Sequence, residues 1–402
     1  MNYHCRHCEA PLVHEVIDLG HQPPSNAYLV SEQLGLPEVT YPLKVYVCTN
    51  CWLVQLPAHA KAEELFTDNY AYFSSTSSSW CSHAERFVHS AVKKLGLNNR
   101  SRVVELASND GYLLQYVNQL GIPCLGIEPT KATAEAARAK GIDTIERFFG
   151  TKMAAELEQA DLIVANNVLA HVPDINDFVE GIAKILKPQG SVSIECPHLL
   201  RLIAGNQFDT IYHEHYSYLS LRVVQRIANK AGLMVADVEE LPTHGGSLRI
   251  WLSHKGNAKP TMTVEKILES EYKFGLEKLQ AYTGFQQKAE KAKYELLDYL
   301  MKMKSQGKCI MGYGAAAKGN TFLNYAGIKT DLLKAVADRA VSKQGKYLPG
   351  SHIPVVSPEK IHSEEVEALL VLPWNLVGEV AQQIPNIDLV TAIPGIRHWA
   401  KD

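Results

Sequence analysis

The stretch VVELASNDGYLL, Val103 to Leu114, decides the architecture of this 402-residue chain. It reads as a buried apolar strand, a turn of small residues and the start of a helix. Gly111, with the small Ala107 and Ser108 before it, lets a ligand approach the backbone closely. Glu105 stands at the end of the strand. Glu128, in GIEP, ends the next strand about twenty residues on, where a carboxylate can accept hydrogen bonds from ribose hydroxyls. The full G-x-G-x-x-G of a dinucleotide site is missing. A carboxylate before the turn suits a cationic ligand without phosphates better than it suits a pyrophosphate.

Outward from this turn, SRVVELAS, PCLGIEP, ADLIVANNV and GSVSIECP are buried-strand candidates. KATAEAARAKG and INDFVEGIAKILKPQG read as helices closed by Gly or Pro-x-Gly. The alternation predicts an α/β fold with a parallel, doubly wound sheet. GLMVADVEEL and GGSLRIWLS follow as an antiparallel pair at its far edge. Residues rich in Glu, Lys, Leu and Ala then predict one or two long helices, either a connector or a dimerisation element. From Gly307 the strand–turn–helix pattern resumes in KCIMGYGAAAKGNTFLNYAG, LKAVAD and EALLVLPWN, a second, smaller Rossmann-like α/β unit. The expected units are residues 1–66, 67–255, 256–306 and 307–402.

The first unit is set by two cysteine pairs, Cys5-x-x-Cys8 and Cys48-x-x-Cys51. Two such turns bring four thiolates to one ion, and a four-cysteine site has no open position, so zinc bound there is structural. The other four cysteines, Cys81, Cys124, Cys196 and Cys309, are scattered, which argues against a disulfide framework. VYVCTNCWLVQL predicts a strand running into the second pair. Hydrophobic residues make up 46% of the chain and the net charge is −3, so packed cores are expected and a basic nucleic-acid footprint is not. No apolar run reaches membrane-spanning length and no secretory segment is evident, so a soluble, cytoplasmic protein without a membrane partner is expected.

FDTIYHEHYSYLS, Phe208 to Ser220, packs Tyr212, His213, Glu214, His215, Tyr216 and Tyr218 into seven residues. The spacing does not match H-E-x-x-H and offers no third ligand, so acid–base chemistry fits better than a catalytic metal. His171, in VLAHVPD, sits at the carboxyl edge of the sheet and could meet this cluster. DNYAYFSSTSSSW, Asp68 to Trp80, carries more aromatics than a plain linker. In GYGAAAKGN, Gly312 and Gly314 permit close approach and Lys318 adds positive charge at a helix start.

The turn, its two acids and ANNVLAHV after the fourth strand resemble the S-adenosylmethionine site of class I methyltransferases. The resemblance implies that Glu105, Ala107, Ser108, Asp110 and Gly111 hold the methionine end, Glu128 the ribose, and that Asn166 lies beside them. The cysteine pairs, ELASNDGYLL, YHEHYSYLS, HGGSLR, GYGAAAKGN and KQGKYLPGSHIPV occur in the order found in bacterial nucleotide-sugar C-methyltransferases, across essentially the whole chain. That resemblance implies methylation at C3 of a 4-keto-6-deoxy sugar carried on a nucleoside diphosphate, dTDP first and GDP second. His215 would be the base that forms the enolate, with Tyr212, Glu214 and His171 around it. Tyr70 or Tyr72 would touch the substrate, and Gly312, Gly314, Lys318, Asn320, Lys343 and Tyr347 would hold its nucleotide. A monomer is expected. Methylation at C5, also next to the ketone, an N- or O-methyltransferase and a catalytically inactive binding protein are the rival readings.

Overall fold

The computed structural model describes residues 3–66, 73–363 and 365–399. Three sheets organise the chain. The first holds β1 (His14–Gln22), β2 (Tyr41–Val47) and β3 (Val54–Gln55), all antiparallel. β2 runs directly into Cys48 and alternates half-buried with buried residues, the signature of a sheet covered on one face.

The central sheet begins with β4 (Val103–Leu106), buried at every residue as an interior parallel strand must be. It continues through β5 (Cys124–Ile127), β6 (Thr144–Ile145), β7 (Ala160–Asn166) and β8 (Leu186–Pro197). β9 (Ser217–Tyr218) leaves this sheet altogether and pairs with β3 of the first one. β10 (Leu233–Leu241) and β11 (Ser247–His254) complete the central sheet, whose order is β10-β11-β8-β7-β4-β5-β6. The antiparallel pair expected at the far edge is there, but the last strand in sequence inserts between β8 and β10. The order reverses at β4, flanked by β5 and β7, and ligands of doubly wound sheets bind beyond the carboxyl ends of the strands at such a point.

The helix Ser78–Leu95 covers one face. Ser77 caps it by accepting a hydrogen bond from the Trp80 amide, Gly96 ends it at φ +64°, and Ala84, Phe87, Val88 and Ala91 form the buried stripe. Two further helices, Met262–Phe274 and Phe285–Ser305, follow the central sheet. The first packs on β10. The second lies against β1 and the C-terminal unit, so its buried Phe285, Ala289, Ala292, Leu296 and Leu300 belong to a core shared by first and last sheets.

The third sheet is built from β12 (Cys309–Tyr313), β13 (Val336–Ala337), β14 (Val355–Val356), β15 (Val366–Val371), β16 (Asp388–Thr391) and β17 (Arg397–Trp399). Its order is β14-β13-β12-β15-β16-β17, parallel except for β17. The order reverses at β12, where Gly312–Asn320 leads into the helix Ala317–Ala326.

Candidate active site and zinc centre

The sulfurs of Cys5, Cys8, Cys48 and Cys51 lie within 4.8 Å of one another. Cys5 Sγ and Cys51 Sγ are 3.5 Å apart, as are those of Cys8 and Cys48. Thiolates around tetrahedral zinc stand about 3.8 Å apart, so the cluster fits the ion with little adjustment. The Gln55 side chain donates to Cys5 Sγ at 3.1 Å, as a thiolate ligand requires. The cluster is also sewn to the central domain. His7 Nδ1 lies 2.7 Å from Asn176 Oδ1, and Arg6 donates to the carbonyls of Pro173 and Leu56.

At the β4 switch point, Glu105 is buried and its Oε2 has no partner; Ser108 Oγ and Asn166 Oδ1 are likewise orphaned among the described residues. Burial pushes the Glu105 carboxyl well above the usual range, with Glu128 and Asp110 adding to the push. A site that strands a carboxylate, a hydroxyl and an amide oxygen together is short of a cationic donor, and the aminosulfonium end of S-adenosylmethionine is one. Glu128 accepts from the Asn109 amide at 2.9 Å and from the Thr130 amide and hydroxyl. A carboxylate offers about four acceptor positions, so one remains. Asp110 is engaged by Ser75 and by Lys140, whose Nζ is 3.3 Å away. Ala107 holds φ +55°, a strained conformation for a residue with a Cβ. Gly111 has a different reason from ligand access. A Cβ there would meet Ile142 Cδ1 at 2.4 Å, so its absence lets the turn close on its own core.

These features make a prediction. Glu105→Gln should raise the dissociation constant for S-adenosylmethionine by about tenfold to a hundredfold, the worth of a hydrogen bond to a charged group. The sign with pH follows from the raised carboxyl: protonation competes with the cation, so wild-type affinity should fall as pH is lowered, and this trend should flatten in the variant. Calorimetry in the two proteins across pH checks both, and an unchanged constant removes Glu105 from the site.

The reactive segment folds as a turn, Phe208–Thr210, followed by a loop into β9. His215 Nδ1 lies 2.8 Å from the Thr210 carbonyl oxygen, so Nδ1 carries the proton and Nε2 the lone pair. The His215 ring is 3.9 Å from that of Tyr212 and 4.6 Å from that of His171, which in turn meets Phe66 at 5.9 Å. Burial holds His215 well below the usual histidine range, helped by the neighbouring His171, and holds His171 down to about 4. Glu214 is buried, is raised to about 7 by that burial, and accepts from Asn26 Nδ2 at 2.7 Å. His213 points elsewhere, toward the Tyr41 carbonyl at 3.2 Å, and Tyr216 donates to the Ala60 carbonyl at 3.0 Å. Tyr70 and Tyr72 lie outside the described residues.

The C-terminal candidates separate. Gly312 and Gly314 make room for protein, since a Cβ at either would meet Val336 at 2.8 Å or Pro373 at 2.5 Å. Asn320 is buried and donates to the Ser25 carbonyl at 2.8 Å. Lys343 donates to the Ala315 carbonyl at 2.8 Å and lies over the Tyr28 ring, while the Tyr347 backbone pairs with Leu29. Lys318 turns to the other side, donating to Asn375 Oδ1 at 2.8 Å over the Trp374 ring. Reading the sequence missed Asn26, Asp209, Trp374 and His244. Of these His244, inside HGGSLR, and Asp209, inside FDTIYHEHYSYLS, stand in stretches that the sequence singles out. His244 stands at φ +53° with its ring 5.3 Å from Trp80, and burial lowers it to about 4.

Three family models match successive parts of the chain. They are a zinc binding domain over residues 5–66, a methyltransferase domain over 80–238 and a C-methyltransferase C-terminal domain over 242–393. The C-methyltransferase NovU of Streptomyces niveus is 32% identical over 94% of this chain and 90% of its own. A ubiquinone biosynthesis O-methyltransferase of Aeromonas salmonicida is 23% identical over 34% of this chain and 64% of its own. Among solved structures, magnesium protoporphyrin IX methyltransferase from Synechocystis is similar at a TM-score of 0.33 and 13% identity, over 42% of this chain and 79% of that one. No helix among the described residues is long and apolar enough to cross a membrane. The cysteine cluster, the unpartnered buried acceptors at β4 and a relative matched along nearly the full length of both chains agree, and the protein belongs to the zinc-containing, S-adenosylmethionine-dependent C-methyltransferase family.

Proposed function

We propose that the protein methylates C3 of a nucleotide-linked 4-keto-6-deoxy sugar, with His215 as the base. The observation that carries this reading is the His215–Thr210 hydrogen bond at 2.8 Å, which leaves Nε2 as a free lone pair in a buried, neutral ring. A sugar carbon becomes a nucleophile only after it loses a proton, and a ketone next to it makes that proton acidic. His215 would take the proton, leaving an enolate whose charge rests on the ketone oxygen. Tyr212 and His171, whose rings flank the base, are the groups to donate to that oxygen. Glu214, titrating near 7, would orient substrate or pass the proton on. S-adenosylmethionine supplies, when bound, an electrophilic methyl group that a carbon nucleophile can take. Glu105, Ser108, Asn166 and Glu128 would hold it, and Lys343 and Tyr347 would flank the nucleotide, dTDP before GDP.

The test is hydrogen exchange. The protein is incubated in deuterated water with 4-keto-6-deoxy sugars on dTDP and on GDP, with and without S-adenosylmethionine. Enzyme-dependent deuterium at C3, replaced by a methyl group once the cofactor is added, is the expected outcome. Deuterium and methyl at C5 would move the position and keep the chemistry. Neither exchange nor methylation on any of these sugars would sink the sugar reading.

A further inference from the structure

Asp209 is placed in the same turn that orients His215, yet it has no part in that orientation. It is 1% exposed. Its Oδ2 accepts from Trp374 Nε1 at 2.8 Å, a contact reaching across from the C-terminal unit, and its Oδ1 has no hydrogen-bond partner among the described residues. A buried carboxylate oxygen without a good donor is costly; the Asp209 and Thr210 backbone amides act on this carboxyl, yet neither closes on Oδ1. Lys318 faces the same place from the other unit. Its Nζ lies 4.9 Å from the Trp374 ring centroid and donates to Asn375, and its charge acts on Asp209, His244 and His215 alike. Lys318 and Asp209 form no ion pair among the described residues, although the ammonium's charge reaches the carboxyl. The Trp374 ring fixes the arrangement, packed so tightly on the Thr243–Gly245 turn that a Cβ on Gly245 would meet it at 2.3 Å.

A lone acceptor beside a lysine with donors to spare is complementary to a group that both donates and accepts. A neutral hydroxyl does both. A protonated amine could donate to Asp209 but has no lone pair for Lys318 and is repelled by its charge. Building on the sugar reading above, we propose that Asp209 and Lys318 together bind a free hydroxyl of the sugar ring, Asp209 accepting its proton and Lys318 donating to its oxygen, so that the substrate is a hydroxylated sugar and not an amino sugar at that position. Trp374 would set the carboxylate's direction, leaving Oδ2 occupied and Oδ1 for the ligand.

The test is a comparison across substrates and variants. Wild type and Asp209→Asn are assayed for kcat/KM on a 4-keto-6-deoxy nucleotide sugar and on its 2-deoxy and 3-deoxy counterparts. Asparagine keeps an acceptor for the Trp374 N–H, and a thermal melt establishes that the variant is folded. Asp209→Asn should lose about tenfold or more on the full substrate. That loss should shrink to less than about threefold on the one analogue lacking the bound hydroxyl, because the partner is then already gone. An equal loss for Asp209→Asn on every sugar, or no loss at all, overturns the assignment and makes the carboxylate a purely structural partner of Trp374. If wild type exchanges and methylates no sugar of the set, the hydroxyl proposal falls together with the reading it rests on, a result distinct from equal losses in an active enzyme.

Discussion

His215→Ala is expected to lower turnover by about 10²- to 10⁴-fold, the range for removing a positioned general base, while leaving S-adenosylmethionine affinity within twofold of wild type. The split follows from geometry. The closest described contacts of the His215 ring run to Thr210, Tyr212 and His171, and none of them is a residue proposed to hold the cofactor. Enzyme-dependent deuterium incorporation should vanish with turnover, since proton abstraction precedes methylation. The pH profile gives a second reading. Burial holds His215 neutral well below its ordinary value, so the acidic limb of kcat should lie below pH 6.5. The Glu214 titration near 7 should appear as a smaller step that Glu214→Gln removes. Retained exchange in His215→Ala would pass the base role to His171, whose Nδ1 has no partner among the described residues.

Cys48→Ser is expected to have the largest effect on stability. Cys48 is fully buried and Cys5 nearly so, and both belong to the core that also holds β4, β7 and β8. Losing one ligand opens the zinc site and forfeits binding free energy that is also folding free energy, on the order of 5 kcal/mol or more. Metal content by mass spectrometry should fall below one ion per chain, and the thermal midpoint should drop in step. Turnover should fall as well, because Asn26 of the first unit donates to Glu214. A variant that is metal-free, as stable as wild type and fully active would remove the ion from any structural role.

What was legible in the sequence was local. A C-x-x-C turn, a glycine-bearing strand–turn–helix and a histidine with its neighbours are each written within a dozen residues, and the cysteine cluster and both doubly wound sheets follow from them. What was illegible came from pairings of high sequence separation. Nothing near Asn26 points to Glu214, 188 residues on, and nothing near Trp374 points to Asp209, 165 residues back. The insertion of β11 between β8 and β10 is equally silent, because the alternation of apolar residues reports that a strand is half-buried and not which strand lies beside it. The glycines show a subtler gap. Gly111, Gly312 and Gly314 were readable as close approaches, but whether ligand or protein approaches is decided by Ile142, Val336 and Pro373, none of them adjacent in sequence to the glycine it meets.

The departure of Ser217–Tyr218 from the central sheet to pair with Val54–Gln55 also bears on how this architecture can change. The cysteine-bearing unit lacks its outermost strand unless the Phe208–Tyr218 segment supplies it, and that strand begins two residues after His215. A chimera that exchanges residues 1–66 between relatives would therefore break a hydrogen-bonded ladder whose other half stays behind with His215. Recombination that respects the fold must carry Phe208–Tyr218 along with the zinc unit, so inheritance of the metal-binding unit and of the His215 segment is linked although some 150 residues separate them in the chain.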